Sequence, residues 1–275
     1  MKRLLKNFAF TSGLILTVVL LLAALAAPLL APYDPNVQDT VRRLEAPSHE
    51  HPLGLDDLGR DVLSRVIFGA RVSLRVGFSV VILASLVGVT LGAMSGYFGG
   101  AVDVIVMRLC DILLAFPGIL LAIALVAVLG PSLNNVILAL AIIGWVGYAR
   151  LVRGQVLKVR EMEYVTAAKA LGAKSPRVII RHVLPNVINP VIVMATLGLA
   201  GAILSEAALS FLGLGVQPPT PSWGAMLTAG RRYLGLANHL AIFPGAAIML
   251  AVMGLNFLGD GLIDALDPKY RKLIR

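Results

Sequence analysis

The chain has 275 residues, 58% of them hydrophobic and only 14% charged, with a formal net charge of +9 and a mean hydropathy of +0.86. A soluble domain carries roughly 25% charged residues, so this composition excludes an ordinary globular protein and makes lipid the solvent for most of the chain. The basic residues fall between apolar runs, where they meet lipid headgroups and orient the protein, which argues against nucleic acid as a partner.

Six apolar stretches are long enough to approach a bilayer crossing, which takes about 20 residues per helix. They are 8–30, 72–98, 104–129, 133–148, 187–214 and 240–262. The fourth is the shortest. The first follows Lys2, Arg3 and Lys6 and ends in Ala26, Ala27 and Pro28. That resembles a secretory leader, but the run is too long, so an uncleaved first helix is expected. Six spans put both ends on one side. With the N-terminus inside, the inner segments hold fifteen Lys and Arg and the outer segments eight. The excess sets an N-in, C-in orientation. The expected organisation is a first helix over 1–30, an extracytoplasmic segment over 31–71, and a core of five helices over 72–275 with an inner loop at 150–186.

The outer segment 31–71 is polar, proline-bearing and too short for a domain, so it reads as an ordered cap. The second outer loop, 215–239, is rich in proline and glycine and is expected over the outer mouth. Gly88, Gly92, Gly96 and Gly100 recur every fourth residue, a stripe that lets a neighbouring helix approach closely. Gly144, Gly147, Gly198 and Gly201 suggest further close crossings. Pro117 and Pro244 interrupt apolar runs and are expected to kink or begin helices. Cys110, the one cysteine, reads as a small buried hydrophobe.

Charges at membrane depth each need a partner. Arg108 and Asp111 are three apart and are expected to pair, with Asp103 nearby. Glu206 lies near 29 Å from the start of its span at about 1.5 Å per residue, at the outer edge of the bilayer core. It is expected to pair with Arg231 or Arg232 or to line the outer mouth. Asp260 and Asp264 stand one turn apart at the inner end of the last span. Trp145 and Trp223 are expected at the membrane interfaces.

The inner loop carries the strongest signal. Its run EMEYVTAAKALGAKSPRVIIRHVLPN is alanine-rich and helix-favouring. One helix is expected over 161–171, ended at Gly172 by a left-handed turn. Ser175 then offers a cap and Pro176 a first helical position for a second short helix, reaching Val183 before Pro185. Thr166-Ala167-Ala168, three residues, Gly172, nine residues, then His182-Val183-Leu184-Pro185 resembles the Glu-Ala-Ala signature of binding-protein-dependent importer permeases. Thr166 stands in place of the Glu and His182 in place of the Ile; the Ala-Ala, Gly and Leu-Pro spacing holds. The segments HPLGLDDLGRDVLSRVIFGARVSLRVG (51–77), SFLGLGVQPPTPSWGAM (210–226) and GDGLIDALDP (259–268) are similar to the C-type permeases of the dipeptide, oligopeptide and nickel group.

The resemblance implies an all-α membrane protein with six transmembrane helices in the type I ABC importer permease fold, located in the cell (inner) membrane. It implies partners: a second, related permease, two ATPase subunits, an extracytoplasmic solute-binding protein and a small peptide substrate. It also implies that the inner loop docks on an ATPase, through Glu163, Thr166, Ala167, Ala168, Gly172, Ala173, Ser175, His182, Leu184 and Pro185. Arg60, Asp61, Glu206 and Trp223 are candidates for the outer mouth or for binding-protein contacts, with bracing of the outer loop the preferred reading for Arg60 and Asp61. The chain has no Gly-x-x-x-x-Gly-Lys-Ser/Thr loop to cradle phosphate. It is therefore expected to be no enzyme and to bind no cofactor or metal itself, with ATP and Mg used by the ATPase partners.

Two other classes are weaker. An ion-coupled secondary transporter wants ionisable or broken-helix sites near the midplane, and no such set stands out. A membrane enzyme wants a catalytic grouping. His49 and His51 form the only close histidine pair, a faint hint of nickel, while His182 and His239 are scattered. Ser210 and Ser222 lack a His and Asp grouping. Nickel and glutathione importers share these motifs with peptide importers, so substrate is the least determined point.

Overall fold

The computed structural model describes residues 8–266. The basic residues expected to anchor the two ends inside (Lys2, Arg3, Lys6, Lys269, Arg271, Lys272 and Arg275) lie outside the described residues. The described chain is helical, with one isolated bridge between Leu55 and Asp61 as its only β pairing.

Helix α1 (Phe8–Leu25) is apolar on all sides and buries only Gly13, Thr17 and Ala24. A helix apolar all round suits lipid on its free faces. It is followed by the single turn α2 (Ala27–Leu30), begun at Pro28, and then by the outer cap over 31–61. Helix α3 (Val62–Phe98) has 37 residues, about 55 Å at 1.5 Å per residue. It starts ten residues before the expected position. Asp61 causes this, because its carboxylate accepts the Ser64 amide at 2.7 Å as an N-cap. Residues 62–71 are thus helix rather than outer segment.

The expected third span is broken. Helices α4 (Gly100–Leu114) and α5 (Gly118–Leu129) meet at 86°. Pro117 stands at the break; a proline disfavours helical geometry in the residue before it and lacks the amide that would continue the ladder. Helix α6 (Leu133–Val159) is capped by Ser132 and runs eleven residues beyond the expected end of the fourth span. Two short inner helices follow, α7 (Glu163–Ala170) and α8 (Ser175–Val178). A wide π turn over Ile179–Val183 carries α8 straight into α9 (Leu184–Phe211). After an irregular stretch come α10 (Trp223–Gly230) and α11 (His239–Leu266). Five helices are long and apolar enough to cross a bilayer, and the bent α4–α5 pair makes the sixth when counted as one span.

Glycine sets the main helix crossing. A Cβ on Gly88 would stand 2.5 Å from the Trp145 carbonyl oxygen, and one on Gly96 would stand 3.0 Å from that of Arg153. Gly92 abuts Ala149 still more closely. The stripe therefore seats α3 against the backbone of α6. Gly100 departs from it. Its φ is +53° with open space around it, and together with Gly99 at +66° it turns the chain from α3 into α4. Gly147 and Gly198 also make close crossings, on Met194 and on the Tyr148 hydroxyl, and Gly144 meets Ala84. Gly201 faces open space.

Gly13 abuts Phe257 and Leu258, and Gly261 abuts Phe10, so the start of α1 lies beside the end of α11. Ile263 of α11 shares a cavity wall with Leu151 of α6 and Asn186 of α9. Both ends of the described chain and the α7–α8 segment therefore occupy one end of the bundle, called inner here. The core divides accordingly. An inner cluster joins Val146, Ala149, Val152 and Val156 to Val165, Val178, Val183 and Val187. An outer cluster joins Val62, Ala70 and Leu74 to Ile203, Trp223, Leu240 and Leu255. Trp145 and Trp223 are core residues at 8% and 2% exposure, not interface anchors.

Candidate functional site

At the inner end, α7 and α8 form a small knob. Val165 and Val178, both fully buried, plug it into the end of α6. The rest of it faces outward. Glu163, Thr166, Ala167, Gly172 and Pro185 are exposed, while Ala168, Ala173, Ser175, His182 and Leu184 are half-buried. Gly172 has φ +82° and nothing within 4 Å of a built Cβ, so its glycine is required by conformation rather than by space. Ser175 is not the cap expected of it. Lys174 occupies that position, Ser175 is the first helical residue, and no side chain caps α8. The second short helix does not stop before Pro185 either, because the π turn continues it and Pro185 sits in the first turn of α9, where no ladder amide is needed. The knob carries large exposed apolar side chains among basic ones: Leu171 is 89% exposed and Ile180 67%, beside Lys169, Lys174, Arg177 and Arg181.

Arginines on α6 brace this end. Arg153 makes a two-pronged bond to Asp103 of α4 at 2.5 and 2.6 Å, and Ser95 of α3 donates to the same carboxylate. Arg150 pairs with Asp111 of α4 at 2.6 Å. Arg160 donates to the Gly96 carbonyl at 2.8 Å. The expected Arg108–Asp111 pair does not form, since Asp111 turns to Arg150 and Arg108 is exposed. Lys169 of α7 sits over the Tyr97 ring at 5.2 Å, tying the knob to the end of α3.

A groove leads from the knob along α9. Its inner part, ≈ 580 Å³, is walled by Asn186, Asn189, Val193 and Leu197 with Leu151 of α6. A second part, ≈ 570 Å³, is walled by Gly198, Gly201, Ala202 and Ser205 with Tyr148 of α6 and Val80 of α3. Met194 and Leu197 belong to both. These α9 positions step by three or four, so one face of one helix lines the whole groove. No charged side chain lines either part. The Asn pair, Tyr148 and Ser205 supply neutral hydrogen-bonding groups along a mostly apolar wall.

The outer candidates are buried. Asp61, 3% exposed, accepts from Ser64 and lies 2.9 Å from His51 Nδ1. Arg60, 8% exposed, donates to Asp56 at 2.7 Å. Trp223 donates its indole N–H to the Val66 carbonyl at 2.9 Å and rests over Gly69. Glu206 is fully buried and accepts from Ser210 at 2.6 Å, with Ser73 and Ser222 facing it. Neither expected partner reaches it; Arg231 stacks on Phe211 at 5.2 Å instead. All four side chains are therefore buried at the outer end and bonded within the chain. His51 is turned into the cap while His49 is exposed, and the described residues contain no cluster of three metal-ligating side chains.

Sequence spacing missed the α6 braces, because Arg153 and Asp103 are 50 residues apart. Asn186 and Asn189 were legible in principle as polar residues three apart in an apolar run.

Residues 88–272 match the family described as binding-protein-dependent transport system inner membrane component. Residues 1–47 match the N-terminal TM domain of oligopeptide transport permease C. The chain is 50% identical over 270 residues to the dipeptide transport system permease protein DppC of Alkalihalophilus pseudofirmus, covering 98% of this chain and 89% of that one. It is 46% identical over 269 residues to the glutathione transport system permease protein GsiD of Pectobacterium atrosepticum, covering 97% and 88%. A GsiD of Escherichia coli is 45% identical over 267 residues, covering 97% and 88%. With two thirds of its length in the family match and nearly all of it in these relatives, the chain belongs to the inner-membrane components of binding-protein-dependent transport systems.

Proposed function

We infer that this chain forms half of a translocation pathway for dipeptides or other short peptides, worked by ATPase subunits that grip the α7–α8 knob. The observation that carries the reading is continuity. The knob runs through the π turn into α9 without a break, and one face of α9 lines the groove. A push on Leu171, Gly172 or Ile180 from below therefore moves the groove wall directly. π turns recur at functional sites, and this one sits where a rotation of α9 would begin. Lys169 over the Tyr97 ring links the knob to the end of α3, and the Arg153 and Arg160 braces join α6 to α4 and α3 beside it.

The groove chemistry suits peptides. A zwitterionic peptide carries both charges with it and varies in side chain. Fixed charges on the wall would trap one end, whereas neutral amides and hydroxyls let it pass. Glutathione is itself a short peptide and fits the same wall, so the GsiD-like reading differs in the solute delivered rather than in the path. The partners follow from the same reading: a second, related permease to complete the pathway, two ATPase subunits with ATP and Mg, and an outer solute-binding protein. This chain contributes no catalytic group.

The test is uptake of labelled L-alanyl-L-alanine into proteoliposomes holding the assembled complex. Uptake is expected to require ATP and to stop when Gly172 is replaced by Val, with hydrolysis continuing uncoupled. Uptake that persists without ATP and collapses with the proton gradient would overturn the reading in favour of a secondary transporter.

A further inference from the structure

A cleft of ≈ 300 Å³ opens on the flank of the bundle, between α1 and the outer half of α3. Leu21, Ala24 and Leu25 form one wall, and the other carries Arg71 and Arg75 with Phe78 further in. The two arginines are four residues apart, so they stand one turn apart on one face of α3. Both side chains are exposed. Arg71 lies over the Phe68 ring at 5.9 Å, and Arg75 reaches Asn134 Oδ1 at a long 3.4 Å. Neither forms an ion pair among the described residues. No acidic side chain lines the cleft, and like charges at this spacing repel one another.

Depth narrows the choice of counter-charge. Helix α3 ends at Phe98 on the inner side. At about 1.5 Å per residue, Arg75 stands about 35 Å and Arg71 about 40 Å up from that end. The hydrocarbon layer is about 30 Å thick, so both guanidinium groups reach the outer headgroup level. Below them the cleft becomes apolar. Phe78 is 42% exposed, and Leu21 leads on to the open flank of α1, where Val18, Val19 and Leu22 are exposed as well. A soluble anion would meet the two charges and leave this apolar slope uncovered. A phospholipid brings both parts at the right heights, a phosphate for the guanidinium forks and an acyl chain for the slope.

We propose that the cleft between α1 and α3 binds an anionic phospholipid of the outer leaflet, its phosphate across Arg71 and Arg75 and one acyl chain along Leu21 and Phe78. Charge complementarity selects an anionic lipid, because a zwitterionic headgroup would bring a cation back beside two unpaired ones. Occupancy would tie α1, which buries only Gly13, Thr17 and Ala24, to the outer half of α3. The site is separate from the α9 groove and stands whichever solute is imported.

The test is native mass spectrometry of the full chain with its co-purifying subunits, released from nanodiscs holding equal amounts of phosphatidylglycerol and phosphatidylcholine. These lipids share the phosphate and the chains and differ in net charge. The complex is expected to retain phosphatidylglycerol roughly tenfold or more over phosphatidylcholine. Arg71→Gln with Arg75→Gln should bring the ratio close to one, and Arg71→Lys with Arg75→Lys should keep most of it. Excess glycerol phosphate should not displace the lipid. A photoreactive label on a thiol placed by Phe78→Cys, with Cys110→Ala, should cross-link phosphatidylglycerol in the same nanodiscs. Equal retention of the two lipids, an unchanged ratio in the Gln pair, a Lys pair no better than the Gln pair, displacement by glycerol phosphate, or cross-linking to a neighbouring subunit in place of lipid would overturn the proposal.

Discussion

The inner knob and the outer cap are built on opposite plans. The knob is regular helix with few anchors: Val165 and Val178 hold it, and Leu171 and Ile180 stand out in solvent. The cap over 31–61 has almost no regular structure, a single 3-10 turn at Thr40–Arg42 and one bridge. Yet it buries charge. His51, Asp56, Arg60 and Asp61 are all at most 8% exposed. A surface that must seat another protein keeps its side chains free and its backbone regular. A lid without helix or sheet must satisfy its backbone and carboxylates by side-chain bonds, so its polar residues turn inward. On this contrast the internal bonds concentrate in the cap and in the glycine crossing, and the proposed function would place the response to a partner in the knob.

Substitutions that break this division come in graded sizes. The largest effect is expected at the crossing of α3 and α6. Gly88→Val places a side chain against the Trp145 carbonyl and the Tyr148 Cβ, each 2.5 Å from the first added atom. Overpacking costs about 1–3 kcal/mol in ordinary cores, and backbone leaves less room to yield. The variant should give no monodisperse protein by size-exclusion chromatography. A well-behaved variant would mean that the two helices separate more easily than their contact implies.

Next comes Asp61→Ala in the cap. It removes the cap of the longest described helix and leaves the Ser64 amide and His51 without their acceptor. A lost cap costs about 1 kcal/mol and orphaned buried partners add to it, so a loss of about 2–4 kcal/mol is expected. Thermal unfolding of the purified chain would read it. The comparison sharpens if Leu171→Asp, at 89% exposure, leaves the same melting curve unmoved while abolishing ATP-driven uptake.

Asp103→Asn on the inner brace is smaller. The pair with Arg153 is two-pronged but 22–32% exposed, so about 1 kcal/mol is expected. The sharper readout is hydrolysis per molecule imported, which should rise as α4 and α6 loosen. The smallest effect belongs to the rim of the cap. Arg42 donates to Glu45 at 2.7 and 2.8 Å and holds that carboxyl below the usual range. A depressed carboxyl stabilises the fold above its ordinary titration range and loses that contribution as pH falls through the lowered value. Arg42→Ala should therefore shift the melting temperature slightly at neutral pH and not at all in strong acid, a difference that scanning calorimetry at the two pH values would resolve.

Much of the fold was legible because it follows from local rules. Apolar length gave the spans, and Gly172 was assigned its left-handed turn correctly because no neighbour influences it. The errors arose where a distant or specific partner intervenes. Asp61 capping lengthened α3, and Asp111 found Arg150 across helices rather than Arg108 on its own; Pro117, by contrast, broke the third span and began a helix as a proline in an apolar run is expected to. Glu206 was expected to seek an arginine and lies instead among Ser73, Ser210 and Ser222 from three separate elements. Trp145 and Trp223 were read by the usual place of tryptophan in membranes, but Gly69 of α3 opens room for Trp223 in the core.

The central claim is that the knob is the handle by which a motor moves α9. The direct measurement is cross-linking from a thiol placed by Leu171→Cys, with buried Cys110 replaced by Ala, in cells making the whole complex. The expected result is a cross-link to an ATPase subunit whose yield changes between nucleotide-free and ATP-trapped states, with no labelling of intact cells by an impermeant thiol reagent. Labelling from outside, or an ATPase that purifies with the complex and never cross-links at this position, would contradict it.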